Sequence, residues 1–201
     1  RSFVFRPEIG DGLRTIDGID TVQSVRSVRV PVRGTQVMLI AADVEALERL
    51  SKLAPIAGDV NTMYKVTAAG KGAVISYNLS QMRKLRLGDV LEIPSPSGML
   101  KLPVVGVNLD YSDQQGSILI ARQLFTDNWK DDSVNLFRIY LKPGAKEAEV
   151  AQKIQDMYGR QTRLFVFTNR DLRSYILRIT DQWFGMTYVQ IAVAVLVAIL
   201  G

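Results

Sequence analysis

An α+β fold is what the 201 residues predict: a split mixed α/β subdomain around an inserted β-rich subdomain, with a C-terminal helix leading into a membrane span. Three observations carry it. The first and last thirds share a strand-then-helix style. The middle third is rich in proline and glycine turns between short strands. From Gln182 to Gly201 there are twenty uncharged positions in a row. That is about the number a helix needs to cross a bilayer core of roughly 30 Å. A buried core helix is the alternative for the same run.

Taken in order, Ile9, Leu13 and Ile16 stand at helical spacing, against the cost of Gly10 and Gly12. Val28, Val30 and Val32 alternate with Arg29, Pro31 and Arg33, which reads as a half-buried strand with a basic outer face. Gly34 turns the chain, and Val37, Leu39 and Ala41 continue as a second strand. Asp43 is a good N-cap for a helix bearing the stripe Val44, Leu47, Leu50 and Leu53, and the segment "APIAGD" breaks it.

The middle stretch, "GAVISYNLSQMRKLRLGDVLEIPSPSGMLKLPVVGVNLD", reads as a strand, a short helix and two strands joined at "SPSG". Pro94, Pro96 and Pro103 mark edge or irregular strands. "GSILIARQLFTDNW" adds a strand and a short helix. In the last third "VNLFRIYLKPGA" is a strand closed by Pro143-Gly144. A helix follows, with Val150, Ile154 and Met157 on one face and Gly159 as its stop. A strand then leads to a helix opened by Thr168, with Asp171 three residues on in a capping-box arrangement. The expected domains are 1–58 with 134–182, the insertion 59–133, and a membrane helix from 183 to 201. Trp183 and Tyr188 are membrane-interface candidates where charge disappears, and Gly185 is a hinge candidate.

Composition removes whole classes of chemistry. The chain has no cysteine and no histidine, so it lacks thiol nucleophiles, thiolate metal sites and the commonest general base. No G-x-x-x-x-G-K-[ST] is present; "GKGA" at Gly70 lacks both its spacing and its hydroxyl. "DYSDQQG", Asp110 to Gly116, lacks the ligand spacing of a calcium loop and reads as a polar loop. Asp131-Asp132 reads as a solvated loop tip, and Asn78-Leu79-Ser80 as an acceptor-like triplet inside a helix. Asp89 and Glu92 lie where a turn and a strand expect polar residues. Neither an enzyme nor a metal, nucleotide or covalent cofactor is expected. The net charge of +5 is mild and its basic residues are scattered, which is no nucleic-acid signature. Arg26, Arg29 and Arg33 lack interleaved aromatics and read as a solvated strand face. The start at Arg1, without a signal-peptide pattern, suggests a fragment of something longer.

Several stretches then resemble the FtsX/MacB-like permeases of ABC transporters. "AVISYNLSQMRKLRLGDVLEIPSPSGMLKLPVVGVNLD" is similar to that family's short helix, "lGD" turn, strand and "VVG". "FRIYLKPGAKEAEVAQKIQ" resembles its strand, "kPGa" turn and helix, and "IDGIDTVQSVRSVRV" its opening strand. "VQIAVAVLVAILG" resembles the start of the following membrane helix. The resemblance implies an extracytoplasmic, periplasmic-side domain at the cytoplasmic membrane, in which a separate or fused ABC ATPase binds ATP and drives the cycle. It implies as partners that ATPase, a second permease copy or paralogue, and an extracytoplasmic adaptor or lipoprotein. Cargo would be lipid, lipoprotein, peptide or drug. A membrane-tethered ligand- or peptide-binding module without an ATPase is the alternative, and a tethered hydrolase the third reading.

Overall fold

Alternation decides the longest strand. The computed structural model describes residues 4–45, 47 and 55–159, with scattered positions between 166 and 199. Helix α1 (Glu8–Arg14) leads into strand β1 (Ile19–Val32), a single run of 14 residues, and β1 turns at Arg33-Gly34 into β2 (Thr35–Ala42). After a helical turn at Val44, α2 (Val60–Ala68), β3 (Ala73–Ser76), α3 (Tyr77–Arg83), β4 (Val90–Ser95) and β5 (Gly98–Asn108) follow. Then come β6 (Ser117–Ala121), α4 (Arg122–Trp129), β7 (Leu136–Leu141) and α5 (Glu147–Tyr158).

The seven strands form one mixed sheet in the order β4-β5-β3-β6-β2-β1-β7. Pairing is antiparallel for β1 with β2 and β7, β3 with β6, and β4 with β5; β2–β6 and β3–β5 are parallel. β3 lies between two partners with all four residues buried, which is why "AVIS" is apolar up to its final capping serine. Successive residues serve opposite faces. Val37, Leu39, Ile75, Ile118 and Ile120 join Leu79 of α3 and Phe125 of α4 in the main core. The β4–β5 hairpin contributes Leu91, Ile93 and Leu102 to that core, where they meet Val30 and Val32 of β1. Val74 instead joins Val44, Met63 and Tyr64 in a second cluster.

The chain divides into two compact units, Arg1–Thr15 with Ile19–Lys142, and Ile16–Gly18 with Pro143–Gly201. All seven strands belong to the first. β7, from the last segment, pairs with β1 of the first, and β6, from the middle stretch, pairs with β2 from Met38↔Ser117 to Ala42↔Ala121. Turn density marks where strands end. It does not reveal that a short apolar strand such as "SILIA" is central.

Three further differences have local causes. Gly10 is no flaw in α1: a Cβ there would stand 3.0 Å from Phe137 Cε1 and 3.3 Å from Ser24 Oγ, so its absence lets α1 lie close. Helix α2 adds to the elements expected from the sequence, and Asp59 caps it by accepting from the Thr62 amide at 2.8 Å. In α5, Val150 and Ile154 are buried but Met157 is 48% exposed, so the apolar face is narrower than the spacing implied. Within the second unit Gly18, at φ +95°, sits against Val150; a Cβ would fall 2.9 Å from Val150 Cγ2.

Candidate functional site

The sequence-derived candidates Trp183, Gly185 and Tyr188 lie outside the described residues, as do the capping-box segment after Thr168 and most of the helix after Asp43. Among the described residues no helix is long and apolar enough to cross a membrane. The described positions from 190 to 199 are helical.

In the first unit a cleft of about 200 Å³ opens where β3 and β5 end and β6 begins. Ile40, Val74, Ile75 and Leu119 make its apolar wall; Ser76, Asn108, Asp110, Ser117 and Arg138 supply polar groups. Ser76 ends β3 and ties three elements, since its Oγ accepts from the Leu79 amide at 3.4 Å and the Ser117 amide at 2.9 Å. Asn108 ends β5 and donates from Nδ2 to the Tyr64 hydroxyl at 3.1 Å. Its Oδ1 is buried with no hydrogen-bond partner.

Asp110 opens the loop whose composition reads as polar. Its Oδ1 accepts from the Ser112 amide at 2.9 Å and from the Ser112 hydroxyl, and its Oδ2 from the Ser117 hydroxyl. Burial pushes the Asp110 carboxyl up, but these bonds and the nearby Arg138 charge outweigh it and hold the group below the usual 3.8. Asp113, in the same loop, pairs with Arg29 Nη2 and accepts the Gln115 amide at 2.8 Å. Asn78, in α3, donates to the Asp113 carbonyl at 2.8 Å. Chemically the cleft offers an ionised acceptor, hydroxyls and a guanidinium. A carboxylate held ionised and bonded on both oxygens by Ser112 and Ser117 orders its loop and is not poised as an acid.

Asp110 and Asp113 therefore serve separate partners and do not share one, and among the described residues no three Asp or Glu side chains gather at a metal-binding distance. Asp89 closes a turn through the Arg86 amide at 2.8 Å, and Glu92 pairs across strands with Lys101 at 2.8 Å. The solvated reading of Arg26 and Asp131 is corrected. Arg26 is only 14% exposed in its side chain and bonds Asp131 Oδ2 from Nε at 2.9 Å and Nη2 at 2.7 Å. Its Nη1 donates to Asn135 Oδ1 at 3.0 Å. The opposite strand parity of Arg26 was the one sequence signal that set it apart.

No protein-family model matches the chain. It is 26% identical over 176 residues to an ABC transporter permease protein of Mycobacterium tuberculosis, itself described as uncharacterized; the match covers 87% of this chain and 21% of that protein. The chain thus spans about a fifth of the length of that curated relative. Two solved structures share the fold. One is the extracellular domain of the noncanonic ABC-type transporter YknZ from Gram-positive bacteria, with TM-score 0.57, 15% identity, and coverage of 78% of this chain and 85% of that one. The other is the periplasmic region of MacB from Actinobacillus actinomycetemcomitans, with TM-score 0.60, 11% identity, and coverage of 86% and 82%. In sequence the chain is similar to an ABC transporter permease, and in fold it matches the extracytoplasmic domains of MacB-like permeases.

Proposed function

We propose that the chain is the extracytoplasmic domain of an ABC transporter permease, which couples the cycle of a cytoplasmic ATPase to the handling or export of cargo outside the membrane. The observation that carries this reading is the permease similarity across 87% of the chain, together with a fold match at TM-score 0.60 to the periplasmic region of MacB. The domain stands on the outer side of the cytoplasmic membrane. It transmits motion and contacts cargo, and it catalyses no reaction; ATP binds the partner ATPase. Working partners are that ATPase, a second permease copy or paralogue, and an extracytoplasmic adaptor or lipoprotein. Cargo is a lipid, lipoprotein, peptide or drug. The polar cleft around Asp110 and Arg138 favours a second reading, a membrane-tethered module that captures a small ligand or peptide without an ATPase.

These 201 residues carry no cysteine, so once any cysteine elsewhere in the full-length protein is replaced, an introduced one is the sole reporter. Single cysteines replace the exposed Met99 and Tyr111 in the full-length protein in its own membrane. A membrane-impermeant maleimide should label both in intact cells. Crosslinking two such sites on paired domains should change the turnover of the associated ATPase. Labelling only after lysis would sink the topology; labelling without any effect on ATPase turnover would favour the ligand-capture reading.

A further inference from the structure

We propose that the β1–β2 turn and the end of α3 together form a docking surface for an acidic segment of a partner protein. Arg33, at the turn, donates from Nη1 to the Arg83 carbonyl at 2.7 Å. Arg83, the last residue of α3, donates from Nη2 to the Thr35 hydroxyl, and its buried Nε has no acceptor. Lys84 and Arg86 follow, both exposed, with no side-chain hydrogen bond or ion pair among the described residues. The acid nearest in sequence, Asp89, accepts the Arg86 amide with Oδ2. Arg33 and Arg83 meet across the two elements, anchored by neutral oxygens, and Lys84 and Arg86 follow Arg83 closely in the chain.

Other cations of this chain are balanced differently: Arg14 by Asp11, Arg29 by Asp113 and Lys101 by Glu92. Uncompensated like charges repel, and an incoming carboxylate relieves that repulsion. Guanidinium groups also bind carboxylates in a forked, directional way. Met82 and Leu87, 46% and 45% exposed, flank the cations and offer a partner apolar contact.

Forked guanidinium pairing with carboxylates, beside the exposed apolar Met82 and Leu87, fits an acidic peptide segment, and an anionic bilayer is the competing outcome of the test.

The test uses the full 201-residue chain in detergent, with a fluorescent oligo-glutamate peptide as probe and phosphatidylglycerol vesicles as the competing arm. The peptide should bind at low salt, and R33Q/K84Q/R86Q should weaken it about tenfold, as expected for the loss of several exposed charge pairs. A triple variant with the same charge change elsewhere, K71Q/K130Q/K153Q, should leave it unchanged. K84Q/R86Q removes no packed contact and should still weaken binding, which covers loss of folding in the triple. Equal loss in both triples, or no peptide binding at all, overturns the proposal. So does vesicle binding that depends on Arg33, Lys84 and Arg86 while peptide binding does not.

Discussion

Arg26 lies on a strand whose neighbouring arginines face water, yet its side chain is 14% exposed because a loop 105 residues later crosses over it. Removing the charge while keeping the shape, Asp131→Asn, leaves a guanidinium largely out of water with only neutral acceptors such as Asn135 Oδ1 and the like-charged Arg122 nearby. Because Asp131 itself is 31% exposed, the cost should fall below that of a fully buried pair, at about 2 kcal/mol in urea unfolding. Acid should act in the same sense. For Asp110 and Asp131, burial raises the carboxyl's pKa, but the bonds from Ser112 and Ser117, or from Ser133 and Arg26, leave it below the ordinary 3.8. A folded pKa below the unfolded one means a contribution complete above 3.8 and lost as the pH falls through the folded value. Asp110→Asn should therefore lower the melting temperature at neutral pH, and the gap to the parent should narrow as the pH falls below 3.8. A gap independent of pH would refute the charge argument. The sequence showed these aspartates as loop polarity. What it could not show is which distant donors close on them.

At the scale of elements, strands were readable wherever apolar residues alternated, and turns wherever glycine or proline stood. Less readable was why some glycines are obligatory. Gly116 has φ +91°, and a Cβ there would lie 2.5 Å from Leu79 Cβ and 3.0 Å from Leu79 Cα, so α3 rests directly on the start of β6. Gly34 has φ +78° but nothing within 4 Å. Gly34→Ala should cost only the left-handed backbone strain, about 1 kcal/mol. Gly116→Ala adds a clash with helix backbone and should cost about 3 kcal/mol or more. Comparable denaturation midpoints for the two variants would contradict this account. The position matters for the site as well, since Gly116 precedes Ser117, whose amide and hydroxyl tie Ser76 to Asp110. The helix α2 was missed for a different reason. Its apolar stripe is short and interrupted by Asn61, Thr62 and Lys65, so the Asp59 cap is its clearest signal.

For the whole molecule, the decisive segment is the terminal run. The described positions Ile191, Val193, Val195, Val197 and Ile199 are helical, and each is more than half exposed. Apolar residues so placed need a cover of lipid, detergent or protein. Among the described residues, the buried clusters built around Val25, Val74 and Ile75 take no member from the terminal run. Removing residues 186–201 should therefore leave circular dichroism and cooperative melting unchanged. The truncated chain should run as a detergent-free monomer. The parent chain should instead carry bound detergent or associate with its own copies, as light scattering coupled to gel filtration would report. Loss of cooperative melting in the truncated chain would show that the run is buried core, the alternative its uncharged composition left open. Retained melting with a monomeric parent in plain buffer would deny it any need for a cover, and with that its place as the start of a membrane helix.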